Sequence, residues 1–192
     1  MDKQGGAGGT NRGAEQSYLN VRGICIAGVL TAMTVVMTVF TRIPAAYGYF
    51  NLGDTVILLA GAAYGRYTGA FAGAVGSALA DIFTGAYIFA PISFIVKGVE
   101  GYAAGRIASG KRAIVAPSNA GRGARLTVSL AVGACAMVAG YFLAEASVLS
   151  LFDSAFGLSA AIAELPVNVV QGAVSAVLAR VAVEGLKRTK II

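Results

Sequence analysis

The 192-residue chain has no histidine, no tryptophan and only two cysteines, and charged residues make up 12% of it. Each shortage excludes something. Without histidine, and with Cys25 and Cys135 far apart and no CxxC pair, a zinc site has no ligand set. The chain carries no GxxxxGK[ST] phosphate loop, no HExxH and no GxSxG, so nucleotide hydrolysis by a P-loop, zinc proteolysis and elbow-type serine hydrolysis lack their residues. No catalytic residue, metal or cofactor is expected. A soluble domain carries about 25% charged residues. Half that charge, with 57% hydrophobic residues, cannot coat a small domain for water. The composition therefore excludes a soluble globular protein. Both cysteines fall in apolar stretches and read as buried small hydrophobes.

What is present is glycine, 26 residues of it, and a series of apolar segments. Small residues let membrane helices approach closely, so the composition suits a compact bundle. The first twenty residues are polar and glycine-rich, and read as a flexible cytoplasmic tail rather than a signal peptide. Residues 21–192 read as one all-α membrane domain. A spanning helix needs about 20 mostly apolar residues. Candidate spans are 23–41, 52–65, 68–84, 88–108, 126–151 and 158–186, with 45–51 an aromatic loop and Pro166 an expected restart of the sixth helix. The second segment is short, but omitting it places Arg106–Arg125 outside, against the positive-inside rule. With six spans and both termini cytoplasmic, basic residues cluster inside, including the 109–124 loop, and Arg42 alone faces out. The formal net charge of +6 is thereby accounted for by the bilayer surface, without nucleic acid.

Ionisable groups inside a span are costly and usually functional. Here they are Asp54, Asp81, Lys97, Glu100, Glu145 and Glu164, joined by Asn168 and Gln171. The topology places nearly all of them in the outer half of the bilayer. Glu164, Asn168 and Gln171 stand at i, i+4 and i+7, on one helix face. Lys97 and Glu100 stand at i and i+3 and can pair. An outward cavity lined by carboxylates, an ammonium and amides fits a small polar solute. A proton relay needs polar groups through both halves. Structural roles compete for the same residues. Asp54 and Glu164 can be helix N-caps, Lys97 can form a structural ion pair with Glu100 or Asp81, and Tyr47, Tyr49 and Phe50 can form an interfacial aromatic belt.

Four stretches in order, NLGD (51–54), GSALAD (76–81), APISFIVKGVEG (90–101) and ELPVNVVQ (164–171), resemble the substrate-specificity (S) components of energy-coupling factor (ECF) vitamin transporters. The resemblance covers residues 21–186 and is nearest the hydroxymethylpyrimidine and pyridoxine-type branch, with the riboflavin branch as neighbour. It implies six helices in the plasma membrane and one vitamin or vitamin precursor held in an outward cavity capped by the first loop. It also implies partners, a transmembrane T component and two cytosolic ATPases that hydrolyse ATP for it. On this basis the expected ligand site comprises Tyr47, Tyr49, Phe50, Asn51, Asp81, Lys97, Glu100, Glu145, Glu164, Asn168 and Gln171. The expected docking face on the first helix comprises Ala27, Gly28, Thr31 and Ala32, although a clean Ala-x-x-x-Ala is missing. A scaffold subunit without a transport role and a standalone secondary transporter are the alternatives. The second sits poorly with polarity confined to one side, since alternating access needs a midplane site.

Overall fold

In a computed structural model, which describes residues 9–108 and 119–189, the chain is a bundle of six α-helices. They are α1 (Gly9–Phe40), α2 (Gly53–Tyr64), α3 (Arg66–Phe83), α4 (Ala90–Ala108), α5 (Asn119–Leu143) and α6 (Leu158–Arg188). Three stretches are long and apolar enough to cross a membrane by themselves: Val21–Phe40, Gly123–Leu151 and Leu158–Arg188. The other helices fall short for physical reasons. The 12 residues of α2 reach only about 18 Å at 1.5 Å per residue. Both α3 and α4 carry charge, Arg66 and Asp81 in one, Lys97, Glu100 and Arg106 in the other. Large apolar side chains such as Ile24, Phe40, Phe83, Leu151 and Val181 point away from the bundle, more than 60% exposed, which is the surface a lipid-facing protein presents.

Several expectations need correcting. The first helix begins at Gly9, inside the stretch read as a tail, although its apolar part starts at Val21. Residues 1–8 and most of the basic 109–124 loop lie outside the described residues. The aromatic loop is an antiparallel hairpin of β1 (Ile43–Pro44) and β2 (Tyr49–Phe50), paired Ile43 to Phe50 and Pro44 to Tyr49. Helix α6 does not restart at Pro166 but runs through it. One missing backbone bond costs less, in an apolar setting, than the several orphaned groups of a broken helix. Cys25 and Cys135 are exposed rather than buried. An apolar residue on a membrane helix is as stable facing lipid as facing its neighbours.

Glycines bring α2, α3 and α4 into backbone contact. A Cβ on Gly69 would stand 2.5 Å from the Gly61 Cα, and one on Gly101 would stand 2.2 Å from the Gly69 carbonyl oxygen. The small-residue spacings of α3 therefore pack helices within the chain. By contrast, a Cβ on Gly28 of α1 would meet nothing within 4 Å. Gly101→Ala is accordingly expected to lower stability by about 1–3 kcal/mol, the usual cost of overpacking. Gly28→Ala should be neutral, and thermal unfolding of the two variants in detergent compares them directly.

Three apolar clusters hold the bundle. One joins Leu30 of α1 to Val56 and Ala60 of α2 and Ala72 of α3. A second joins Leu58, Ala104, Leu126, Leu130, Ala179 and Val183 from α2, α4, α5 and α6. The third places Ile92 and Val96 of α4 against Met137, Ala144 and Leu149. Beyond α5 the helix widens into a π segment, Ala144–Val148, before a 3-10 turn, Leu149–Leu151. The polar residues lie between these clusters, beneath the hairpin.

Candidate functional site

The hairpin is tied down through its backbone. The N–H groups of Tyr47 and Gly48 both donate to Glu164 Oε1 on α6, the second at 2.9 Å. The Asn51 N–H donates to Gln171 Oε1 at 2.8 Å. Tyr49 donates its hydroxyl to Asp81 Oδ1 on α3, while the Arg42 guanidinium stacks 3.8 Å above the Tyr49 ring centroid. Burial, with Asp81 adding to it, pushes the Tyr49 phenol well above its usual pKa, so it remains a donor. Tyr47 packs on Phe156 with ring centroids 6.1 Å apart.

Under the hairpin is a small cavity of about 30 Å³ lined by Gly48, Tyr49, Asn51, Phe89, Ser93, Tyr141, Glu145, Glu164, Asn168 and Gln171. It draws on the hairpin, α4, α5, the π segment and α6, so five regions position it. The three residues at i, i+4 and i+7 on α6 all line it, which follows from their shared face. Its walls are aromatic rings, amides, hydroxyls and two carboxylates. The volume holds roughly two waters, far below the ~300–1,000 Å³ of a small-molecule site.

A second layer lies against this one. Lys97 forms a buried ion pair and hydrogen bond with Asp54 Oδ1, and stands 3.5 Å from Glu100 Oε2. All three are at most 3% exposed. Gln171 joins the layers: its Nε2 donates to Asp54 Oδ2 at 2.8 Å while its Oε1 receives Asn51. Lys97 also lies 5.2 Å from the Tyr141 ring centroid.

The expected site residues therefore separate. Tyr49, Asn51, Glu145, Glu164, Asn168 and Gln171 line the cavity. Lys97 and Glu100 do not; they are held in the ion-pair layer beside it. Asp81 anchors Tyr49 from outside the lining, and Tyr47 contributes its backbone to the Glu164 tie. Phe50 pairs with Ile43 and is half-buried. On α1, Gly28 and Ala32 are exposed, Ala27 is half-buried, and Thr31 is buried with its hydroxyl on the Ala27 carbonyl at 2.7 Å. Asp54, read from sequence as a possible N-cap, makes no capping bond and is the principal partner of Lys97. Glu164 is likewise no cap: it lies inside α6 and holds the hairpin. Ser93, Tyr141 and Phe89 were missed. Ser93 and Tyr141, whose hydroxyl oxygens are 2.7 Å apart, each had a helical signal: they precede Lys97 and Glu145 by one turn.

Residues 18–188 match the family model of the ECF-type riboflavin transporter, S component. The chain belongs to this family. An uncharacterized protein in gap 3'region of Pyrococcus woesei is 37% identical over 148 residues, 77% of this chain and 88% of that protein. As an ECF S component, the chain is a membrane transport protein of vitamin uptake and not an enzyme. In an S component the polar cavity beneath the hairpin is the natural candidate for the substrate site, because it is where aromatic faces and hydrogen-bonding groups converge.

Proposed function

We propose that this S component captures one small water-soluble vitamin or vitamin precursor from outside the cell. Hydroxymethylpyrimidine, a pyridoxine-type ring and riboflavin are the candidates, the last being the vitamin named by the matching family model. Bound ligand passes inward only with an energising module, a T component and two cytosolic ATPases. The chain crosses the plasma membrane six times with both termini in the cytoplasm, in keeping with the bias of its basic residues. The exposed Gly28 and Ala32 on α1 supply a close-packing surface for the T component.

The observation that carries this reading is the cavity itself, polar at its base, ringed by Tyr49, Phe89 and Tyr141, and roofed by a hairpin held to α6 by Glu164. A flat heterocycle stacks on such rings while the amides and carboxylates read its edge. Proteoliposomes containing only this chain should bind the vitamin yet accumulate none under ATP or a proton gradient. Accumulation by the chain alone would establish a secondary transporter instead.

A further inference from the structure

The cavity carries an unpartnered carboxyl group. Among the described residues Asp81 Oδ2 and both Glu100 oxygens also lack a hydrogen bond, but each of those carboxylates has a donor on its other oxygen or a cation beside it. Glu164 receives the Tyr47 and Gly48 N–H groups. Asp81 receives the Tyr49 hydroxyl. Asp54 receives Lys97 and Gln171, and Glu100 is 3.5 Å from the same ammonium. Glu145 lines the cavity, is 2% exposed, and its Oε2 has no hydrogen-bond partner among the described residues. Glu164 adds a second carboxyl group to the same lining. No lysine or arginine is in that lining: Lys97 is spent on Asp54 and Glu100, and Arg42 sits on the Tyr49 ring.

A buried carboxylate without a partner is unfavourable, so a site that keeps one gains by receiving a donor or a cation. The backbone aims it there. Glu145 falls in the π segment Ala144–Val148, an irregularity that recurs at functional sites because it re-aims side chains. Phe89, Tyr49 and Tyr141 supply π faces that also favour a cation.

We infer that the ligand carries a cationic or amino nitrogen that seats on Glu145, and that ligands bearing a carboxylate or phosphate at that end are rejected. This rests on the carrier reading above and narrows its substrate class. The nitrogen donates to Glu145 Oε2 in a charge-assisted hydrogen bond. Asn168, on the α6 face opposite, remains to read the rest of the ring edge. A ligand with a hydroxyl in place of the amine still donates to the carboxylate but brings no positive charge to offset it, and so binds less tightly.

The test is calorimetry on the full chain in nanodiscs with four probes: pyridoxamine, its hydroxyl counterpart pyridoxine, the amino-bearing hydroxymethylpyrimidine, and riboflavin. An amino-bearing probe should bind most tightly, and Glu145→Gln should weaken it by roughly ten- to a hundredfold. If Glu145→Gln does not fold, the ranking of pyridoxamine against pyridoxine on the unaltered protein decides. Tightest binding of riboflavin or pyridoxine, or amine binding unchanged by Glu145→Gln, overturns the charge assignment and leaves the carrier reading standing. Folded protein that binds none of the four overturns both.

Discussion

Replacing Lys97 with methionine is expected to destabilise the protein by about 3–5 kcal/mol, the cost of removing one partner from a buried ion pair. The reason is what remains. Asp54 and Glu100, both 0% exposed, would face each other without a cation, and Gln171 offers only one N–H to Asp54. The loss should be largely restored in the triple variant Asp54→Asn, Lys97→Met, Glu100→Gln, because replacing all members of a buried charge cluster is far milder than stranding some of them. Unfolding of the single and triple variants in detergent separates the two. A single variant as stable as the parent would show that the cluster is not charged as a unit.

Glu164→Ala should leave the bundle folded and release the hairpin. One carboxylate oxygen receives both the Tyr47 and the Gly48 N–H, and hydrogen bonds to a charged group contribute about 1.5–3 kcal/mol each. The freed N–H groups lie in a half-exposed loop and regain water, so the net loss is smaller than the sum. Ligand dissociation should accelerate by roughly a hundredfold. Glu164→Gln keeps an oxygen in the same place and loses only its charge, so its effect should be about tenfold. Hydrogen exchange at residues 43–50 should rise in step, strongly for alanine and weakly for glutamine. Fast dissociation with unaltered exchange would mean that Glu164 touches ligand and does not hold the hairpin.

The helices were legible because apolar length and charge bias are properties of sequence alone. The short segment 52–65 emerged as α2, Gly53–Tyr64, for that reason. The hairpin was not legible. Its strands have two residues each, one of them Pro44, too few for an alternating pattern. The shared face of Glu164, Asn168 and Gln171 could be read from spacing, since helical periodicity fixes it. The fate of Lys97 could not. Spacing reveals partners on the same helix, such as Glu100, but Asp54 lies 43 residues away on α2 and meets Lys97 only through packing. With Asp54 open to reading as a cap, Lys97 is expected in the ligand site with Glu100 or Asp81 as its partner. Its actual sequestration is what leaves the cavity lining acidic.

Glycine supplies the link between packing and site. Contact between Gly69 and Gly101 sets α4 against α3, and the Lys97 carbonyl would lie 2.2 Å from a Cβ on Gly73. The ion-pair layer is thus carried on a closely packed part of the bundle, while the cavity roof is a hairpin held by hydrogen bonds to Glu164, Asp81 and Gln171.

The chain is expected to hold one small vitamin in the cavity beneath the hairpin. Native mass spectrometry tests it most directly, on protein purified after exposure to a complete vitamin mixture. The expected result is a single vitamin-sized molecule, one per chain, with occupancy falling in Asn168→Ala as roughly tenfold affinity is lost with one hydrogen bond of ~1–1.5 kcal/mol. Folded parent protein that emerges with no such molecule, or a molecule retained equally by Asn168→Ala and Glu164→Ala, would contradict the account.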